Sequence, residues 1–259
     1  MDLGITGRKA LVCASSTGLG FACAQALAAE GCKVWINGRD AARLQAAAQK
    51  LRSVGRADVT PVVADLNTED GRRALVAACP DADILINNNA GPPPGDWRTW
   101  RHADWLAALE SNMLAAIDLI TALVPGMQQR RFGRVVNITS AMVKQPWPTM
   151  GLSAAARTGL TAFCKTVALE VAADNVTLNN LLPERIDTGR QEFMARKLME
   201  REGISREEAR ARFASSIAAR RMGRPEEVGA LCAYLCGDQS GFMSGQNLQV
   251  DGGSYPGLV

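Results

Sequence analysis

Histidine and tyrosine are almost absent from this chain: its 259 residues include one His, His102, and two Tyr, Tyr234 and Tyr255. A lone imidazole leaves little with which to build a zinc centre. The seven cysteines, an odd number, follow no disulfide-framework spacing. Cys232 and Cys236 stack at i, i+4 on one helix face without further ligands, so no metal is expected. Free thiols in this number fit a reducing compartment and a cytoplasmic location. Charge of one sign is also lacking: Lys plus Arg total 29 and Asp plus Glu 26, a net +3 that gives no reason to expect a nucleic-acid partner. The Arg-rich stretch between Arg196 and Arg221 alternates with Glu, as a solvated helical face does. Met1-Asp2-Leu3-Gly4 has neither the basic nor the apolar segment of a secretion signal. No apolar run reaches the roughly 18 residues needed to span a bilayer, so no membrane partner is expected. Repeats, low-complexity tracts and Pro/Ser-rich linkers are missing too, so nothing divides the chain.

What is present is a hydrophobic fraction of 47%, ample for a large core. Short β-branched or apolar runs predict strands over residues 9–14, 33–37, 59–63, 84–86, 134–138, 176–182 and 248–250. Between them lie helical patterns: one reaching Glu30, one capped by Asp40, and others around 72–78, 105–123, 153–173 and 226–236. Continuous apolar strands alternating with helices predict a single α/β domain over residues 1–259. Its expected form is a doubly wound parallel sheet of about seven strands, the Rossmann fold, with ligands at the carboxyl ends of the strands. Residues 189–222 break the rhythm with two charged amphipathic helices, where Ser205 and Glu208 form a capping box. That segment is placed to act as a lid.

The first strand runs into Cys13-Ala14-Ser15-Ser16-Thr17-Gly18-Leu19-Gly20 and then a helix. Glycines here let backbone approach a pyrophosphate, and the helix N-terminus offers free N–H groups to it. The second strand ends at Asn37-Gly38-Arg39-Asp40. An acidic residue at this strand end would bind a ribose 2′-hydroxyl, whereas Arg39 suits a 2′-phosphate, so NADP(H) is favoured over NAD(H).

These segments, with those that follow, resemble the short-chain dehydrogenase/reductase family across nearly the whole chain. The family's Thr-Gly-x-x-x-Gly-x-Gly motif is matched by Cys13-Ala14-x-x-x-Gly18-x-Gly20. Asp65-Leu66 matches the pair that contacts adenine in the family, and Asn88-Asn89-Ala90-Gly91 matches an element that steadies the sheet beside the cofactor. Asn112 and Ser140 match two members of the catalytic tetrad. Pro183-Glu184-x-Ile186-x-Thr188 resembles the segment that holds the nicotinamide, and the stretch from Gly245 to Gly253 is typical as well. The resemblance thus implies Asn112, Ser140, Ser153 and Arg157 as catalytic positions. It implies cofactor contacts at Ser15, Ser16, Gly18, Leu19, Gly20, Arg39, Asp65, Leu66, Asn89, Ala90, Gly91, Arg157, Pro183, Ile186 and Thr188. It further implies a homo-oligomer, tetramer or dimer, built on the Ala-rich helix over 153–173 and the apolar tail.

At four positions the chain departs from the pattern. Where the family has a Tyr that donates a proton and, four residues on, a Lys that lowers its pKa, this chain has Ser153 and Arg157. A serine hydroxyl is far less acidic than a phenol and shorter by a ring. An arginine, with an ordinary pKa above about 12, keeps its charge and cannot relay a proton. Ala14 replaces a glycine, and its methyl would crowd the adenine ribose. Glu184 also replaces a glycine; it either points to solvent or serves as a substrate contact or acid/base group. Lys144 is a second candidate acid, His102 reads as a surface or cap residue, and Trp97, Trp100 and Trp147 as pocket or core aromatics. Three functions follow: an NADP(H)-dependent oxidoreductase acting on a carbonyl-like small molecule with an altered proton route, a cofactor-binding sensor or inactive subunit, and a non-redox lyase or dehalogenase. Some relatives that expel halide carry Ser-Tyr-x-x-x-Arg, which Arg157 partly matches, though they abandon the glycine turn kept here.

Overall fold

The computed structural model describes residues 2–54 and 58–258. Seven strands, β1 (Lys9–Val12), β2 (Lys33–Gly38), β3 (Val59–Val63), β4 (Ile84–Asn87), β5 (Gly133–Ile138), β6 (Val176–Pro183) and β7 (Asn247–Val250), form one sheet in the order β3-β2-β1-β4-β5-β6-β7. All neighbouring pairs are parallel. All six residues of β5 are buried, as are the first seven of β6. Strands covered on both faces have no solvent side to alternate with, so β5 and β6 are mainly apolar and their polar members, Arg134, Asn137, Thr177, Asn179 and Asn180, are themselves buried.

Helices α1 (Gly18–Ala29), α2 (Ala41–Val54) and α9 (Pro225–Cys236) cover one face; α3 (Glu69–Ala78), α5 (Ala115–Gln129) and α6 (Gly151–Val171) cover the other. The chain order reverses between β1 and β4, the topological switch point where doubly wound sheets open a crevice. The single α/β domain read from the sequence is the observed architecture.

Element boundaries differ from the sequence reading for physical reasons. Helix α3 starts at Glu69, since Thr68 Oγ1 accepts from Gly71 N at 3.1 Å and two acidic residues occupy the first turn. The helix expected over 105–123 runs instead from α4 (His102–Leu109) through a π turn (Glu110–Leu114) into α5. Pro125 does not stop it, because Pro125 and Thr121, whose carbonyl loses its bond, both face solvent. The continuous run His102–Gln129 holds an 18-residue window of mean hydropathy 1.5, long and apolar enough to cross a membrane by length and composition. This corrects the expectation that no such segment exists. In the fold it packs as a core helix, with Leu119, Ile120, Leu123, Val124 and Met127 buried.

A polar feature fixes the register of half the sheet. Asn87, Asn137, Asn180 and Asn247 lie side by side on β4, β5, β6 and β7, and successive side chains are hydrogen-bonded at 2.9 Å each. A one-residue slip would strand these buried amides without partners.

Helices α7 (Gly189–Glu202) and α8 (Arg206–Ser215) stand apart with a small core of Ala195, Ala209 and Phe213. Only half of the expected capping box forms. Ser205 Oγ accepts from Glu208 N at 3.1 Å, but the Glu208 carboxylate turns to Arg212 at 2.8 Å.

Candidate active site

A cleft of about 940 Å³ opens at the carboxyl ends of the strands, walled by the turn after β1, the ends of β2 and β6, the loops after β3, β4 and β5, and the first turn of α7. The turn after β1 is held from beneath. Ala14 N donates to Asn37 Oδ1 at 3.2 Å, and Asn88 Nδ2 donates to Ala14 O at 3.2 Å. Ala14 sits at φ +43°, a left-handed conformation that explains a glycine at the matching position of the resembled motif. Gly18, at φ +63°, opens α1. Ser16, Gly18 and Leu19 line the cleft.

Two positions expected to touch cofactor do not reach its surface. Ser15 is fully buried, with Oγ donating to Val12 O at 2.7 Å and accepting from Asn37 N at 2.9 Å, so its hydroxyl is spent joining β1 to β2. Gly20 lies behind the turn, where an added Cβ would collide with the Ala14 carbonyl. It is a packing glycine.

Around the same end, Arg39, Asp65, Leu66, Asn89, Ala90 and Gly91 line the cleft. Arg39 is largely exposed and stands 3.8 Å from Asp65. Asn89 Nδ2 donates to Asn67 Oδ1 and Ser111 O, both at 3.0 Å.

At the other end, Ser140 follows β5 and accepts from Met142 N at 3.2 Å. Ser153 and Arg157, one turn apart on α6, are buried and linked, with Arg157 Nε donating to Ser153 Oγ at 3.3 Å. Arg157 Nη1 also donates to Ile138 O at 2.8 Å and Thr139 O at 3.0 Å, anchoring the guanidinium to the end of β5. Burial, reinforced by the nearby Arg190 charge, pulls its pKa down to about 10, which leaves it charged at neutral pH. Ser140, Ser153, Arg157, Pro183, Ile186 and Thr188 all face the cleft. Asn112 does not. It sits in the π turn behind the wall, where its Nδ2 donates to Ala90 O at 3.3 Å and Ser111 Oγ at 2.7 Å while the buried Oδ1 has no hydrogen-bond partner.

Glu184 is not solvated: it lines the cleft with its side chain only 12% exposed, and burial raises its pKa. Its Arg185 neighbour, at φ +50°, places Nε 3.3 Å from a Glu184 carboxylate oxygen. The Arg185 guanidinium lies 4.8 Å from the Trp147 ring and 4.3 Å from Phe213. Arg190 extends from α7 and donates to Pro92 O at 2.9 Å. Sequence reading missed Arg185 and Arg190; the signal available was two more arginines flanking the Ile186-x-Thr188 segment.

Other candidates fall away. Lys144 lies off the cleft, with Nζ 3.4 Å from Gln249 Oε1 and 5.5 Å from the Tyr255 ring centre. His102 begins α4 on the surface. Trp97 is exposed, Trp100 packs edge-on against Trp105, and only Trp147 of the three lines the cleft. Among the described residues no group of three or more His, Cys, Asp or Glu is placed to hold a metal ion.

A doubly wound sheet with this glycine turn and this strand-end cleft defines a class, and comparison with known proteins gives the family. The chain belongs to the short-chain dehydrogenase/reductase family; residues 13–255 match the family model described as enoyl-(acyl carrier protein) reductase. It is similar to the NADPH-dependent reductase BacG of Bacillus subtilis, at 29% identity over 97% of this chain and 99% of that protein. It is also similar to dehydrogenase/reductase SDR family member 4 of Bos taurus, at 32% identity over 98% and 89% of the two chains. Among solved structures, L-sorbose reductase from Gluconobacter frateurii complexed with NADPH and L-sorbose matches with a TM-score of 0.95 and 30% identity, over all of both chains.

Proposed function

We propose that the chain is an NADP(H)-dependent oxidoreductase that reduces a carbonyl-like small molecule (a ketone, imine or enone) without a phenolic proton donor. The observation that carries this reading is a strand-end cleft that joins Arg39 and the Gly18 turn at one end to Ser140, Ser153, Arg157 and Glu184 at the other. The residues fit the nucleotide: Gly38 has no side chain to occupy the ribose position, and the exposed Arg39 is free to take a 2′-phosphate, a preference that similarity to NADPH-dependent reductases supports. Ser16, Gly18 and Leu19 would meet the pyrophosphate, Asp65 and Leu66 the adenine, and Ile186 and Thr188 the nicotinamide carboxamide. When bound, the nicotinamide supplies a hydride.

The chain's own side chains supply the rest. Ser140 Oγ and the fixed Arg157 charge polarise the acceptor oxygen and stabilise the negative charge that develops on it. Glu184, buried in the cleft with a raised pKa, is the group we assign to deliver the proton to that oxygen. Its carboxylate is then reprotonated from water. Ser153, tied to Arg157, positions the guanidinium and does not replace the phenol. The 189–222 segment acts as the lid, an assignment supported by Arg190, Gln191 and Met194 of α7 on the cleft wall. Asn112 is assigned a positioning role through its bond to Ala90 O. A cytoplasmic homo-oligomer completes the reading, supported by seven free cysteines and by exposed apolar side chains on α6 and the tail.

The test is a screen of ketones, imines and enones followed by loss of NADPH absorbance. Turnover of at least one class is expected, and Ser140→Ala should lower kcat by about 100-fold while leaving nucleotide affinity nearly unchanged. Tight NADPH binding without consumption across the whole panel would favour a sensor; turnover of some substrate by nucleotide-free protein would favour non-redox chemistry.

A further inference from the structure

The substrate end of the cleft carries more positive charge than a neutral carbonyl compound needs. Arg157, Arg185 and Arg190 all line it, against one lining carboxylate, Glu184; Asp251 lies near Glu184 behind the wall. Arg157 is committed to the β5 carbonyls and Arg190 to Pro92 O. Arg185 is the least committed of the three. Its Nη1 makes a long hydrogen bond of 3.5 Å to Gln191 Oε1. Its Nε meets Glu184 at 3.3 Å as an ion pair, without hydrogen-bond geometry.

Everything else about Arg185 is built. Its side chain is only 10% exposed. Its backbone takes a left-handed conformation that non-glycine residues seldom adopt. Two aromatic rings, Trp147 before α6 and Phe213 on α8, lie 4.8 and 4.3 Å from the guanidinium, and cation–π contacts of this kind hold it in place without using its hydrogen-bond donors. A largely covered guanidinium held between two rings, with its donors under-used and lining a cleft, is suited to bidentate recognition of a carboxylate.

The geometry points to Arg185 as the anchor for a carboxylate on the substrate, so that the compound reduced is a small oxo acid, with Glu184 holding the anion's place until it binds. This rests on the reductase reading above and names its substrate class. Glu184 and the substrate carboxylate then compete for one guanidinium. The incoming anion displaces Glu184 from Arg185, and Glu184, deprived of its counter-charge in a buried site, takes up a proton. The acid that completes the reduction is thereby armed by the substrate's own charge. Phe213 belongs to the 189–222 segment, which thus already packs on the anion's anchor. Glu184 faces Arg185 on its own segment, Asp251 beyond β7, and Arg157 and Arg190 across the cleft; of these, only Arg185 changes partner.

The test is calorimetric titration of the full chain with benzoylformate and with its methyl ester, which differ essentially in charge. Wild-type protein is expected to bind the acid at least about tenfold tighter than the ester. Arg185→Gln should bring the two affinities together. Glu184→Gln, which removes the competitor, should tighten acid binding severalfold and leave the ester unchanged. Repeating the acid titration in buffers of different ionisation enthalpy should reveal proton uptake by wild type that Glu184→Gln lacks. Equal affinity for acid and ester in wild type, or weaker acid binding by Glu184→Gln, overturns the assignment. If Arg185→Gln fails to fold, those two results still decide it. A parallel NADPH titration separates the two claims. Acid preference without nucleotide binding sinks the reductase reading alone; nucleotide binding without acid preference sinks the anion site alone.

Discussion

Glu184 shows how a residue's neighbourhood turns a loop carboxylate into a reagent. A carboxyl that is harder to ionise in the folded chain than in the unfolded one makes the native state bind more protons. The stability it confers is full below its ordinary value of 4.5 and is lost as pH rises through the raised folded value. Glu184→Gln has no such loss. The melting temperature of the variant relative to wild type should therefore climb between about pH 4 and about pH 8. A constant difference across that range would mean that Glu184 titrates normally. Arg157 carries the opposite lesson: burial lowers its pKa to about 10, but three buried or anchored contacts keep it a fixed charge at neutral pH, unable to act as the missing acid. At this scale the sequence was half legible. Ser153 and Arg157 could be placed only through the resemblance, by counting from Ser140 along the family's pattern. The burial of Glu184 could not, because it depends on how distant parts of the chain pack around the cleft, with Asp251 brought near from beyond β7.

At the scale of elements, the strands were readable because the central ones, buried on both faces, are mainly apolar, and the nucleotide turn because only certain residues tolerate its backbone. The asparagine ladder was not read, although each of β4 to β7 carries an Asn. Its members are 50, 43 and 67 positions apart, and nothing local says that they share a level of the sheet. Asn137, like Asn180, has a partner on each side. Asn137→Leu should cost about 2–6 kcal/mol in denaturant unfolding, since it orphans one amide on β4 and one on β6 at about 1–3 kcal/mol each. A loss under about 1 kcal/mol would show that water or rotation satisfies them. Gly20→Ala tests the turn from behind. Its methyl meets the Ala14 carbonyl, a backbone atom that cannot rotate away, so a loss of about 1–3 kcal/mol is expected. The π turn around Asn112 was invisible to periodicity, which reads α4 and α5 as one helix. It is tied down by Arg72, whose Nη1 meets Glu110 at 2.6 Å and whose Nε lies 2.8 Å from Asp118.

For the whole molecule, the doubly wound parallel sheet and the position of the cleft at its strand ends follow from the alternation of elements and were expected from sequence, whereas the order of the strands is supplied by the structure. Association was expected only by resemblance. Leu169 on α6, Phe242 before β7 and Leu258 in the tail stand 72%, 104% and 102% exposed, a large apolar display for an isolated chain. Sedimentation should give a dimer or tetramer, and Leu169→Glu should shift it toward smaller species; a wild-type monomer at micromolar concentration would refute the assembly. All of this remains secondary to the nucleotide. The most direct test is to titrate cofactor-stripped protein with NADPH and with NADH, following tryptophan fluorescence in wild type and Arg39→Ala. The account predicts tighter NADPH binding, by about tenfold or more, with the preference abolished in the variant. Failure of both nucleotides to bind would contradict it and would mean that the left-handed Ala14 and the buried Glu184 close the cleft to a dinucleotide.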